Sequence, residues 1–116
     1  VRRAATKADA RRAAEAVANS VLVKCAWAGG DPNWGRILDA VGYSGVKMKE
    51  DIVDIFYDEY PIVAGGLAAS TPEKKLKAVA ARKAFRVTID LQIGNASHVV
   101  WTTDLTEEYV RLNLGE

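Results

Sequence analysis

The sequence has one cysteine, one histidine, one methionine and three prolines. A lone cysteine, Cys25, cannot form an internal disulfide, so no disulfide framework holds the fold and nothing points to an oxidising compartment. With His98 the only histidine, any Ser-His-Asp or Cys-His arrangement has to use it. No His/Cys cluster has metal-ligand spacing. Charge of one sign is also missing: 16 Lys plus Arg face 15 Asp plus Glu, for a net +1. That balance gives no general pull toward nucleic acid or an anionic membrane. No apolar run approaches the roughly 18 residues of a membrane span. The start, Val1-Arg2-Arg3, is not followed by the apolar stretch of a signal peptide. The first residue is not Met, which fits a processed product or a piece of a longer protein.

What is present is a globular composition. Apolar residues make up 49% and charged residues 27% of 116, enough for one domain over residues 1–116 with a modest core. A helix is expected from about Thr6 to Ser20, with Ala10, Ala13, Ala14, Val17 and Val21 at helical spacing. Val21 to Ala28 reads as a short apolar strand stopped by Gly29-Gly30. Asp31-Pro32 offers a cap and a first-turn proline for a second helix, which Gly42 ends. Asp51 to Tyr57 and Pro61 to Ala64 read as two strands around a tight turn. Ser70-Thr71-Pro72-Glu73 carries the capping signals of a third helix, whose buried side continues through Phe85. Phe85 to Ile93 alternates as a strand, and Gly94-Asn95 predicts a hairpin to a return strand over Ala96 to Thr103. A last helix is expected from Asp104. The order α-β-α-β-β-α-β-β-α predicts an α+β fold, with helices packed on one face of a mostly antiparallel sheet.

Few residues invite a chemical reading. His98 reads as a plain strand residue and Cys25 as a small buried hydrophobe. The glycines at 29, 30 and 35 lack the spacing and the Lys-Ser/Thr ending of a phosphate loop. Arg2, Arg3, Lys7, Arg11 and Arg12, and separately Lys74, Lys75 and Lys77, lack interleaved aromatics and read as solvated faces. One segment stands apart: Gly29-Gly30-Asp31-Pro32-Asn33-Trp34-Gly35-Arg36. Helix formation alone does not call for Asn33, Trp34 and Arg36 together. They suit contact with a ligand or a partner surface. The plainer alternative buries Trp34 in the core and pairs Arg36 with a carboxylate.

Two blocks carry a family resemblance. Ala18 to Lys24 with Gly30 to Leu38, and Trp101 to Asn113, resemble the ornithine acetyltransferase family. Gly42-Tyr43-Ser44-Gly45 and Asp90 to Gly94 fit it too. The resemblance implies an enzyme of arginine biosynthesis that moves an acetyl group from N-acetylornithine to glutamate, in some members also from acetyl-CoA. Family precursors cleave themselves before a threonine, which becomes the nucleophile and carries the acetyl group. That threonine and the oxyanion hole belong upstream of Val1, so this chain corresponds to the C-terminal part of the β chain and alone is expected to be inactive. Thr6 opens a helix and is not the nucleophile.

By the same resemblance Asn113 matches a substrate-binding asparagine, whose carboxamide both donates and accepts. A hydroxyl ligand expected a few positions later is absent, because the sequence stops at Leu114-Gly115-Glu116. Implied partners are the α chain and the rest of the β chain, assembled as an oligomer of αβ units, with no nucleic acid, membrane, metal or bound cofactor. The implied compartment is the cytoplasm. The alternative is a non-catalytic packing module of such an enzyme, or of a relative with altered acyl chemistry.

Overall fold

The computed structural model describes residues 1–30 and 33–103. Its order is α1 (Lys7–Ala18), α2 (Val21–Ala28), α3 (Trp34–Tyr43), a short 3-10 turn (Glu50–Ile52), β1 (Asp54–Tyr57), β2 (Tyr60–Ala64), β3 (Leu67–Ala68), α4 (Glu73–Ala80) and β4 (Val87–Asp90). The strands form one sheet in the order β3-β2-β1-β4, antiparallel at every pairing. The fold class is therefore the α+β one read from the sequence. The last expected helix, from Asp104, falls outside the described residues.

Residues alternate across a strand, so β1 has two distinct faces. Ile55 and Tyr57 are fully buried on the helix side. There Trp27 of α2 donates to the Tyr57 hydroxyl at 3.2 Å, and Phe85 packs against both rings. The buried indole N–H thus finds its acceptor inside the core. The alanine face of α1 behaves as its spacing predicts: Ala10, Ala13, Ala14 and Val17 are buried, and α1 lies closely against α3. On the other face of the sheet Asp54, Phe56 and Thr88 are half-buried, with Arg2 stacked over the Phe56 ring.

Several elements differ from the sequence reading. Val21–Ala28 is a helix and not a strand. An apolar run this short is ambiguous by composition. The Ser20 hydroxyl caps it by accepting from the Val23 amide at 3.3 Å. Val23, Ala26 and Trp27 are buried while Val21, Leu22 and Cys25 face out, which is helical and not alternating spacing. Cys25 is consequently exposed, contrary to expectation. In α3 the cap is Asn33 and not Asp31: the Asn33 carboxamide accepts from the Arg36 amide at 3.3 Å. Gly42 lies inside α3, and the left-handed residue after the helix is Gly45 at φ 75°. No capping box forms at α4, which starts at Glu73 behind Pro72 with no side-chain cap; Phe85 lies beyond its end.

The expected final hairpin is opened by a third segment. Val1 to Ala4 runs between β4 and the returning chain. Arg2 bonds β4 in parallel through the Ile89 carbonyl and the Leu91 amide. Val1 and Ala4 bond His98 and Ala96 in antiparallel. Local propensity carries no information about a partner almost a hundred residues away, so no hairpin signal excluded this insertion. Gly94 owes its identity to the insertion and not to a tight turn: a Cβ there would collide with the Ala4 carbonyl.

The inserted segment is locked by a buried charge. The Asp90 side chain is fully buried. It accepts from Arg2 Nε at 2.8 Å, from Arg3 Nε at 2.8 Å and Nη2 at 2.5 Å, and from the Gln92 amide at 3.1 Å. Arg2 and Arg3 are therefore not the purely solvated pair expected from the basic cluster. Burial by itself pushes the Asp90 carboxyl up, but the hydrogen bonds from Arg3 and then Arg2 outweigh it and hold the group below its ordinary value. A carboxylate with a lowered folded-state pKa contributes stability above the unfolded value of about 4 and loses that contribution as pH falls through the folded value.

Asp90→Asn is expected to cost about 2 kcal/mol at pH 7, and to flatten the loss of stability below about pH 4. Urea unfolding across a pH series measures both, and an unchanged acid limb in the variant overturns the assignment. Gly94→Ala is expected to destabilise by ~1–3 kcal/mol through the clash with Ala4. Gly42→Ala, where an added methyl meets nothing within 4 Å, is expected to stabilise by ~0.5–1 kcal/mol.

Candidate functional site

The residues singled out by sequence come together at the starts of α2 and α3. Asn33 spends its carboxamide on the cap. Trp34 is half-buried and packs against the core. Arg36 reaches across and donates from Nη1 to the Leu22 carbonyl at 3.1 Å. The guanidinium thus ties the first turn of one helix to the first turn of the other, and its partner is a backbone carbonyl where a carboxylate was anticipated. Beside this junction Val21 and Leu22 are 61% and 62% exposed. The junction is a corner tied by this bond, with an apolar lip, and the guanidinium has further donors beyond the one used.

Two shallow hollows lie elsewhere. One, of about 440 Å³, is lined by Leu38, Asp39, Gly42, Tyr43, Met48 and Glu50. Its lining mixes apolar side chains with the carboxylates of Asp39 and Glu50, and Tyr43 is almost fully exposed. Such a surface suits an amine or a polar partner loop. Sequence reading missed it because its walls come from α3 and from the loop before β1, which only the fold brings together. The other hollow, of about 350 Å³, is lined by Lys7, Ala8, Arg11 and His98. Arg11 there is already paired with Glu15 at 2.8 Å. The lining includes no hydroxyl or thiol for His98 to activate. His98 lies in extended chain bonded to Val1, outside any named strand.

Among the described residues no group of three or more His, Cys, Asp or Glu side chains is placed to hold a metal ion. Nor is any helix there long and apolar enough to cross a membrane. Thr6, read from the sequence as the start of the first helix, is the residue that caps α1, accepting from the Asp9 amide at 3.0 Å. Asn113, the one substrate-binding residue read from the sequence, lies outside the described residues. Among the described residues the geometry offers surfaces for contact, and neither hollow brings a nucleophile and a base together.

The sequence profile of the ArgJ family matches residues 1–115. The chain is 46% identical over 114 residues to the arginine biosynthesis bifunctional protein ArgJ of Geobacter sulfurreducens, covering 97% of this chain and 29% of that protein. It is 40% identical over 121 residues to the glutamate N-acetyltransferase of Methanocaldococcus jannaschii, covering 97% of this chain and 30% of that one. The crystal structure of the arginine biosynthesis bifunctional protein ArgJ from Bacillus halodurans superposes with a TM-score of 0.92 at 33% identity. That superposition covers 99% of this chain and 55% of the crystallised one. The chain thus spans under a third of the length of these two curated relatives. With nearly every residue inside the family profile and the same fold in a solved member, this chain belongs to the ArgJ family.

Proposed function

We propose that this chain is the C-terminal part of the β chain of a glutamate N-acetyltransferase. The parent enzyme moves an acetyl group from N-acetylornithine to glutamate through an acetyl-threonine intermediate. The observation that carries this reading is the 46% identity, spread over 97% of the chain, to a protein of arginine biosynthesis. In this scheme the threonine hydroxyl, contributed by sequence outside this chain, attacks the acetyl carbonyl of N-acetylornithine. The C–N bond breaks, ornithine takes a proton as it leaves, and the acetyl group is held as an ester. The amine of glutamate then attacks that ester, forms N-acetylglutamate and returns the proton to the threonine oxygen. An oxyanion hole stabilises each tetrahedral intermediate. Acetyl-CoA replaces N-acetylornithine as donor where the parent is bifunctional. The compartment is the cytoplasm, and no bound cofactor or metal takes part.

The role of this chain is to complete the binding side of that site and to hold the catalytic portion in place. Asn113 is the residue proposed to touch substrate, its carboxamide engaging the polar head group of the amino acid. Its catalytic partners are the α chain and the remainder of the β chain, assembled as αβ units. A second reading, that the domain is a packing module, is favoured for the Gly29 to Arg36 corner by one contact: the Arg36 guanidinium is committed to the Leu22 carbonyl. Arg36 is then a positioning residue that fixes the exposed Val21-Leu22 lip.

In an assay with N-acetylornithine and glutamate, the full-length protein is expected to form N-acetylglutamate, and the isolated 116 residues are expected to form none. A soluble, self-cleaved full-length protein without transfer activity sinks the enzymatic reading; turnover by the isolated chain refutes the placement of the nucleophile. In the full-length protein Arg36→Ala is expected to weaken assembly by roughly 1 kcal/mol, the scale of one hydrogen bond, and to leave KM unchanged. A raised KM with the complex intact assigns Arg36 to substrate instead.

A further inference from the structure

We propose that the extended segment Val99 to Thr103 is one half of a β-ladder whose other half is the stretch of the parent polypeptide immediately preceding Val1. The inference rests on the reading above, that this chain is the C-terminal part of a longer protein. It names the surface on which that protein continues the sheet.

The register is fixed by bonds already present. Val1 and His98 exchange both backbone hydrogen bonds, Val1 N to the His98 carbonyl at 3.0 Å and His98 N to the Val1 carbonyl at 3.0 Å. Ala4 and Ala96 do the same at 2.8 and 3.1 Å. These are two closed pairs of an antiparallel ladder. Between them Arg2 and Arg3 oppose the single residue Ser97, so the inserted strand carries a bulge, with Arg3 at φ 51°. Beyond His98 the chain keeps a strand-like alternation of exposure: His98 and Val100 are half-buried, while Val99 is 72% and Trp101 90% exposed. The Thr102 hydroxyl donates to the Ala18 carbonyl at 3.2 Å, which holds the end of this segment against α1.

The ladder therefore points onward. Continuing its period of two, the second residue before Val1 meets Val100 as a closed pair, and the fourth before Val1 meets Thr102. The amides of Val100 and Thr102 turn toward that strand, and those of Val99 and Trp101 turn away. A strand edge with free amides and exposed apolar side chains is a template for another strand. The relatives supply the chain to fill it, because this sequence covers only 29% of the Geobacter protein and 55% of the crystallised Bacillus chain. A second copy of this chain is the competing occupant, since the same edge accepts any extended backbone.

The test is residue-resolved hydrogen exchange on the full-length protein. The amides of Val100 and Thr102 are expected to exchange at least 100-fold more slowly than those of Val99 and Trp101. Equal, fast exchange at all four positions overturns the pairing, and so does protection that grows with protein concentration, which assigns the edge to a second copy. A cysteine pair gives an independent readout. With Cys25→Ser to remove the native thiol, Val99→Cys and a cysteine at the residue immediately before Val1 are expected to cross-link on mild oxidation, because non-hydrogen-bonded pairs bring side chains close. Val100→Cys with the same partner is expected not to cross-link, and the reverse pattern overturns the register. An open reading frame with nothing before Val1 overturns the C-terminal reading and the proposal together; fast exchange at Val100 in a longer protein overturns the pairing alone.

Discussion

Asp90 is a fully buried carboxylate, and two guanidinium groups from the first residues of the chain close over it. A charge withdrawn from water needs partners of this quality, because an unpaired one costs several kcal/mol. The arrangement holds the chain start on the sheet, and the sheet depends on it in turn. With Arg2 and Arg3 seated, Val1 to Ala4 fills the space between β4 and the returning chain. Arg3 and Gln92 both adopt left-handed backbone conformations beside it, at φ 51° and 55°. Such conformations cost about 1–2 kcal/mol each in a residue with a side chain. Arg3 offsets this through Asp90, and Gln92 by donating from Nε2 to the Ile52 carbonyl and to Asp54 at 2.7 and 2.8 Å. Strain and charge compensation thus sit together on the face of the sheet away from Trp27.

The opposite face is held by different physics. Trp27, Tyr57 and Phe85 come from α2, β1 and the loop before β4, and their rings meet at centroid distances of 6.1 and 5.3 Å. Edge and tilted contacts of this kind stabilise beyond simple area burial. They join the helical layer to the sheet through α2, while the alanines of α1 let it approach α3 closely. Among the described residues neither face encloses a reaction centre. Within them the two faces support a frame and a corner tied by Arg36 and the Leu22 carbonyl. The curated relative from Geobacter sulfurreducens is more than three times as long as this chain.

Much of the frame was legible in the residues. The spacing of Ala10, Ala13, Ala14 and Val17, the helix start near Thr6, the tight connection expected at Asp58-Glu59-Tyr60 (with Tyr60 already in β2) and the alternation of Val87 and Ile89 each express a local preference that survives in the fold. The motif blocks carried the family, because side-chain identity in order is information a sequence holds completely. The corner at Asn33, Trp34 and Arg36 was visible as an oddity. Its resolution as a cap, a core ring and a strut needed the carbonyl of Leu22, which belongs to another helix.

What only the tertiary structure decided were the contacts made at long range. Val21–Ala28 became a helix because one side of it finds Tyr57 and the core, and composition over eight residues cannot choose between periods. Gly94-Asn95 did not close a hairpin because the first four residues of the chain take the place beside β4. Asp90 looked like the polar side of an alternating strand, and its burial depends on arginines that lie 87 and 88 positions away. The sequence by itself determined the family, the fold class and the alanine-faced helix α1, since those follow from residue identity and from neighbours along the chain. The place of Val1 to Ala4 beside β4 and the buried ion cluster were decided by distant segments meeting, which local spacing does not encode.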